Sequence, residues 1–434
     1  MFKALSERNY RVYATGSIVS NIGTWMQRVA QDWLVLEVSG GSGVAVGITT
    51  ALQFLPTLLL PGITGLAADR FDKRTLLRIS QAWMATCAVV LGLLAVTGLV
   101  QTWHVYLVAG LFGIGSAFDV PARQSFVSEV VGGENLPNAI SLNSASFNAA
   151  RLIGPGLAGL VIHQFGSGWA ILSNGISYIA FIVALSVIDA NRLYLGKRVQ
   201  RGKRQIREAM TYIRHRPDIV LVLCMLFFVG TFGLNFQMTS ALMTTQVFHL
   251  GAQQYGILGT IMALGSLTGA LVGARRSSPP RMRFMIISAI GFGTLLAVSG
   301  LMPSYLLYAI SLPLVGLASM LCMNAANTIV QMSIDPQLRG RVMAVYFVVM
   351  QGGTPLGAPL LGWIAQAFGA RWSLIFGGSM VVIGVIASTL VLAKMQGLSL
   401  RPVLSELRSP SSLMTPTTPT SPSSATPAET AKVS

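Results

Sequence analysis

The sequence predicts an all-α membrane protein with twelve transmembrane helices arranged as two six-helix bundles. Three observations lead there. Only 10% of the 434 residues are charged while 53% are hydrophobic, against about 25% charged in an ordinary soluble domain, so a water-facing surface cannot be built from this chain. Apolar runs of about 20 residues, enough to cross about 30 Å of hydrocarbon, recur along nearly its whole length. A set of residues near the end of the first half reappears at one constant offset near the end of the second.

The runs are too long and too uniformly apolar for the alternating strands of a barrel. Because lipid offers the backbone no hydrogen-bonding partner, they must be helices. Counted in order, the first half has spans near 10–36, 44–68, 75–99, 104–121, 139–163 and 169–189. The second has spans near 218–247, 253–274, 284–302, 304–330, 342–367 and 372–394. This gives an N-terminal bundle over 1–190, a basic linker over 191–217 and a C-terminal bundle over 218–394. A Ser/Thr/Pro-rich tail over 395–434 lacks apolar periodicity and is expected to be disordered. Lys3, Arg8 and Arg11 precede the first span without a small-residue cleavage site, so no removable signal peptide is expected.

The formal charge of +16 would suit a nucleic-acid binder, but its distribution argues otherwise. With the N-terminus in the cytoplasm, Arg70, Lys73, Arg74, Arg123, the cluster over 192–216, Arg275, Arg276, Arg281, Arg283, Arg339 and Arg341 all fall inside, and only Arg371 falls outside. Orientation follows such an excess. Both termini are therefore expected in the cytoplasm of a multi-pass protein of the inner or plasma membrane. The charge reads as topology, with a further role of the linker on anionic lipid left open.

Cys87, Cys224 and Cys322 lie inside apolar runs, and His104, His163 and His249 show no ligand spacing, so no disulfide framework and no metal site is expected. No glycine-rich phosphate loop ending in Lys-Ser or Lys-Thr occurs, so ATP is not expected to drive the chain directly. No cofactor is implied, and ion gradients remain as the energy source.

The repeat is read directly. Gly154, Leu157, Gly159, Phe165, Gly166, Trp169 and Gly175 recur as Gly357, Leu360, Gly362, Phe368, Gly369, Trp372 and Gly378. Gly65 and Arg70 are echoed by Gly269 and Arg275 at the ends of spans two and eight. Transporter folds are commonly built from such repeated bundles.

After span two the chain reads Gly-Leu-Ala-Ala-Asp-Arg-Phe-Asp-Lys-Arg, Gly65 to Arg74. This resembles the major facilitator superfamily, whose loop between helices two and three is Gly-x-x-x-Asp-Arg-x-Gly-Arg-Lys. Gly65, Asp69, Arg70, Lys73 and Arg74 match, while Asp72 replaces the second glycine. Physically, an acid and several bases at helix ends can form a charged latch that breaks as two halves rock; a merely topological basic loop is the alternative. Asp119 and Arg123, one turn apart near the end of span four, are read with this inner latch or as a simple helix-end pair.

Span five contains Gly154, Pro155 and Gly159, resembling the Gly-Pro-x-x-Gly-Gly motif of the antiporter branch, with Ala158 in place of one glycine. A helix bend or close packing would each account for it. The antiporter motif of span four survives only as Gly113, Gly115 and Ala117. Ala109 and Phe112 stand where its arginine and glutamine would be.

Ionisable groups inside spans are costly and usually face a cavity or a partner. Arg28 and Asp32 share a face of span one near Gln31, and Arg151 lies in span five one turn from Asn148. Asn324 and Asn327 are polar candidates in span ten. Asp32 is the candidate proton-coupling carboxylate, its charge state open to a nearby Arg28 or Arg151 and to desolvation, with a permanent structural ion pair between spans one and five as the alternative. The first half is thus expected to supply ion coupling and the second to shape the cavity.

The resemblance extends over about Tyr10 to Lys394, and the stretch from Trp25 through Trp169 is most similar to bacterial drug and siderophore exporters of the enterobactin-exporter and macrolide-efflux type. It implies export of a small amphiphilic or chelating molecule by exchange for protons, with alternating access and no obligate protein partner. A proton-coupled importer of the same fold and a membrane sensor or scaffold that moves nothing are the competing readings.

Overall fold

Glycines, prolines and short polar side chains set where each helix begins and ends. The computed structural model describes residues 3–194, 205–275, 280–335 and 338–395, and among them it contains helices and turns but no strand. Arg8–Val38 (α1) is followed by Gly43–Leu59 (α2), Pro61–Arg70 (α3), Lys73–Val96 (α4), Thr102–Val130 (α5), Leu136–Phe165 (α6) and Ser167–Val187 (α7). Gln205–Arg214 (α8), Pro217–Phe228 (α9), Phe236–Leu242 (α10), Ala252–Ala274 (α11), Met282–Gly300 (α12) and Tyr305–Ser333 (α13) come next. Arg339–Gly352 (α14), Thr354–Phe368 (α15) and Ala370–Met395 (α16) complete the order.

Local chemistry explains these boundaries. The Asp72 carboxylate accepts the Thr75 N–H at 2.8 Å and starts α4, as the Ser42 hydroxyl does for α2 through the Ala45 N–H, each satisfying a donor left over at a helix start. Gly166 between α6 and α7 and Gly369 between α15 and α16 both have positive φ, 88° and 100°. Such a conformation suits glycine, and the two are partners in the sequence repeat.

Ten helical segments among the described residues are long and apolar enough to cross a membrane, and the bent pair α2–α3 makes an eleventh. Span two, expected as one run over 44–68, is bent by 59° between these helices. The cause is Pro61, which has no N–H to continue the ladder. The remaining expected span, α1, is 31 residues long, or about 46 Å, but its polar residues keep it out of the apolar set. The stretch 191–217, expected as a linker, contains α8, and Glu208 of α8 pairs with Arg341 of α14. The expected tail lies outside the described residues but for the last residue of α16.

The helices pack within a compact unit that runs to Thr389. α1 packs on α6 and α7, α4 on α5 and α7, and α13 on α11 and α12. Two further contacts join segments far apart in sequence, α6 on α11 and α2 on α15. Small residues make these approaches possible, as expected where lipid supplies no hydrophobic drive between helices. A Cβ on Gly159 would lie 2.9 Å from the Ala252 carbonyl of α11, and one on Gly47 of α2 would lie 2.6 Å from the Ala358 carbonyl of α15. The repeat thus has a spatial meaning: Gly159 faces α11 while its echo Gly362 faces Gly43 and Gly47 of α2.

One buried cluster gathers Tyr10, Tyr13, Phe126, Phe181 and Leu185, with Tyr13 edge-on to Phe126 at 5.8 Å. Outside, large apolar side chains such as Ile63, Leu107, Ile176 and Ile310 are more than half exposed. That is costly in water and appropriate in lipid.

Candidate functional site

α1 carries the polar groups that set it apart from the other long helices. Gln27, Gln31 and Asp32 are 0%, 1% and 6% exposed, so they are enclosed by protein, where a polar group needs a partner. The alternative to proton coupling at Asp32 was a permanent ion pair, and among the described residues Asp32 forms no ion pair with Arg28 or Arg151. Its carboxylate accepts the hydroxyl of Tyr255, in the first turns of α11, at 3.3 Å. The Arg28 guanidinium instead lies over the rings of Trp25 and Phe54, 5.0 and 5.3 Å from their centroids, and Arg151 lies 5.7 Å from the Trp25 centroid. Among the described residues, neither arginine forms an ion pair, although the Asp32 charge acts on Arg28 from one turn away. The order explains part of this: a base one turn N-terminal to an acid is the weaker arrangement on a helix, and flat guanidinium groups stack well on aromatic faces.

Tyr255 is held from both sides. Trp33 stacks on it at 6.0 Å with 21° between the planes. Trp33 in turn donates from Nε1 to the Glu37 carboxylate at 2.8 Å, and Ser167 donates to the other Glu37 oxygen at 2.7 Å. Sequence reasoning missed Tyr255 because a tyrosine in an apolar run reads as packing. It also placed ionic chemistry in the first half alone, yet the hydroxyl serving Asp32 comes from the second.

The other cavity candidates separate. Asn148 donates to the Ser144 carbonyl of its own helix at 2.8 Å. Asn324 lies beside Gly273, where an added Cβ would sit 3.2 Å from Nδ2, and Asn327 accepts from Gln331 at 2.7 Å. Gly273 and Tyr255 are at opposite ends of α11, about 27 Å apart along its axis. Asn324 therefore does not share a site with Asp32.

The expected latch divides into two sets. Lys73 pairs with Glu129 near the end of α5. Arg74 donates to the carbonyls of Leu185 and Ser186 at 2.6 and 2.8 Å, which suits a cation at the C-terminus of α7. Arg70 is exposed and Gly65 half-buried; the side chain of Asp69 lies outside the described residues. Asp119 and Arg123 face elsewhere. Their 3.0 Å pair is tied to Gln81 and Ser80 of α4 through Asp119, at 2.6 and 3.3 Å, and to Ser17 and Ser20 of α1 through Arg123, at 3.0 and 3.3 Å. The Arg123 guanidinium also covers the Phe181 ring at 4.4 Å. The reason is helix length: span four was expected to end at 121, but α5 continues to Val130, which puts Asp119 and Arg123 inside the bundle and Glu129 at its end. Gln81, a polar residue in an apolar run, was a signal that could have been read.

Gly154, Pro155 and Gly159 are a packing surface. A Cβ on Gly154 would lie 2.6 Å from the Trp25 Cβ, and Gly256 and Gly259 of α11 abut Pro155. The motif seats α6 against α1 on one side and α11 on the other.

A second polar locus lies in Pro217–Val247. Two π-helical stretches, Val229–Gly233 and Met243–Val247, interrupt it. Asn235 donates to the Thr231 carbonyl at 2.7 Å, while Asn235 Oδ1 and Thr231 Oγ1 are buried without a partner. π-turns inside helices recur at functional sites.

At the end of the bundle that holds Asp32, Ser42 Oγ and the Val44 N–H both donate to Gln366 Oε1, at 2.8 and 3.2 Å, and Gln246 donates to the Gly41 carbonyl at 2.8 Å. These bonds join residues of the first and second halves of the chain.

Comparison with known proteins agrees with this architecture. The model of a family described as transmembrane secretion effector matches residues 1–412. The multidrug efflux pump Tap of Mycolicibacterium fortuitum is 28% identical over 385 residues, covering 86% of this chain and 93% of its own. The staphyloferrin A transporter of Staphylococcus aureus is 24% identical over 389 residues, covering 87% and 94%. Among solved structures, a bacterial homologue of the human lysosomal transporter Spinster, inward-facing and unoccupied, superposes with a TM-score of 0.71 at 15% identity, covering 88% of this chain and 96% of that one.

Proposed function

The chain belongs to the transmembrane secretion effector family of major facilitator transporters, and we propose that it exports a small amphiphilic or chelating molecule, of the drug or siderophore class, in exchange for protons. It is a multi-span membrane transporter of small molecules and not an enzyme. The inner or plasma membrane is its proposed location, with α1 as the twelfth span and both termini in the cytoplasm. The halves 1–190 and 218–394 are proposed to rock about a site between them.

The observation that carries the coupling is the contact of Asp32 with Tyr255, because it runs between α1 and α11 and so across the proposed halves. As a carboxylate, Asp32 accepts the Tyr255 hydroxyl and helps hold the seam. A proton arriving from outside removes the negative charge that strengthens this hydrogen bond, weakening the seam and favouring opening at that end. The bonds from Ser42, Val44 and Gln246 close the same end, which supports reading this arrangement as the state open to the cytoplasm. The names of the Tap and staphyloferrin A relatives support the substrate class.

The test is transport in inverted membrane vesicles with a fluorescent amphiphilic dye and a catecholate chelator as probes. Acidifying the lumen should drive accumulation of at least one of them, and Asp32→Asn should abolish it while leaving exchange of probe for probe. Accumulation only in right-side-out vesicles would mean import. No flux of any kind under a verified gradient would leave a sensor, and unchanged driven flux in Asp32→Asn would remove Asp32 from the coupling.

A further inference from the structure

Arg28 and Arg151 are two cations inside proposed spans that form no ion pair among the described residues, and both lie over the one indole of Trp25. A charge inside a span that is held in no ion pair is costly. Asp32, one turn along α1, attracts Arg28 electrostatically but forms no ion pair with it, and its carboxylate accepts the Tyr255 hydroxyl instead.

The neighbouring polar groups are unsatisfied in the same sense. Gln31, 1% exposed, has neither its amide nitrogen nor its oxygen hydrogen-bonded. Arg28 Nε is also buried without a partner. Native proteins leave few such atoms, and each one calls for an explanation. Gln31 is one turn from Arg28 on α1, so the two share a face. Two of these three orphan atoms are donors, beside two guanidinium groups, so the missing partner is rich in acceptors.

We propose that Arg28, Arg151 and Gln31 form an anion subsite that receives a carboxylate carried on a flat apolar body, the body lying against Trp25 and Phe54. A guanidinium offers a planar fork of donors that a carboxylate fits in two bonds. The rings that now occupy the guanidinium faces leave its edges free for that contact. The proposal rests on the exporter reading and sharpens it, because it names the charge of the exported class.

The probe pair is 2-naphthoate and its uncharged amide, 2-naphthamide, titrated against the purified full chain in nanodiscs of zwitterionic lipid. Binding is read as the shift of the thermal unfolding midpoint and as quenching of the tryptophan emission that Trp25→Phe removes. Naphthoate should bind at least ten-fold more tightly than the amide. Arg28→Gln and Arg151→Gln, made singly, should each cut that preference several-fold, while Arg28→Lys should retain part of it. If one variant fails to fold, the other carries the test. Equal binding of acid and amide, binding of neither, or a preference unchanged in both glutamine variants overturns the subsite. Stabilisation by anionic lipid that naphthoate cannot displace assigns the site to a lipid headgroup and also overturns it. If the subsite fails while an uncharged dye is still driven by the proton gradient, the exporter reading stands; if no probe is driven, that reading falls independently.

Discussion

α1 and the segment Pro217–Val247 open the two proposed halves and carry their polarity in different ways. α1 is a single helix of 31 residues whose polarity lies in side chains, Gln27, Arg28, Gln31 and Asp32 among them. Pro217–Val247 is the most apolar of the candidate spans and contains no charged side chain past Asp218, but its backbone is broken by two π-helical stretches. In the first, side chains reach neighbouring helices: Asp32 meets Tyr255, and Ser17 and Ser20 meet Arg123. In the second, Asn235 turns back to its own helix at the Thr231 carbonyl, while the side chains that reach outward, Ser240 to Tyr308 and Gln246 to Gly41, are uncharged. Two segments in related positions can thus be polar with or without an ionisable group, and only the first kind can exchange a proton.

The largest expected effect tests that distinction. Asp32→Asn should eliminate gradient-driven export in proteoliposomes while exchange persists, and Asn235→Ala should leave the gradient dependence in place. If Asn235→Ala removes the coupling and Asp32→Asn does not, the comparison is inverted.

Next is the pair that anchors α1. Asp119→Ala leaves the Arg123 guanidinium without its acid at a site where both side chains are largely buried, and should destabilise the protein by about 3–5 kcal/mol, read from chemical unfolding in detergent. A loss below about 1 kcal/mol, the worth of an ordinary hydrogen bond, would mean that Ser17 and Ser20 satisfy Arg123 alone.

The glycines give a smaller contrast. Gly357→Ala drives a Cβ onto the Thr231 carbonyl of the broken segment, whereas Gly154→Ala meets the Trp25 side chain of α1. Overpacking costs about 1–3 kcal/mol; neither the Thr231 carbonyl nor the Trp25 Cβ can rotate aside, and Gly357→Ala should sit at the upper end because its Cβ comes much closer to its partner. Equal thermal shifts for the two variants would show that the broken segment gives way to relieve the tighter contact.

The smallest change is Tyr255→Phe, which removes only the hydroxyl that Asp32 accepts. At 3.3 Å that bond is long, and its loss should cost about 1 kcal/mol of stability, with transport slowed but still driven by the gradient. Full loss of transport would make the hydroxyl itself part of the proton path.

The long helices were legible because lipid imposes one rule on every residue that faces it. The repeat was legible too, and the contacts of Gly159 with α11 and of Gly362 with α2 show what its small residues do. The site was legible only in its membership. Asp32, Arg28 and Gln31 were singled out as costly polar groups, but the partner that Asp32 takes, Tyr255, was not among them. Asp119 and Arg123 were singled out and assigned to the wrong surroundings, because the end of α5 was placed nine residues too early.

The amino-acid sequence by itself determined that the chain is helical, that it lives in a membrane and where helices can approach closely, since uniform apolarity and small residues act through local composition. Only the tertiary structure decided which partner each buried charge takes. Tyr255 lies far along the chain from Asp32, and whether its hydroxyl reaches that carboxylate depends on how α11 is rotated against α1. That rotation is set by packing at Gly159, Pro155 and Gly256, a three-dimensional fit that no spacing along the chain encodes.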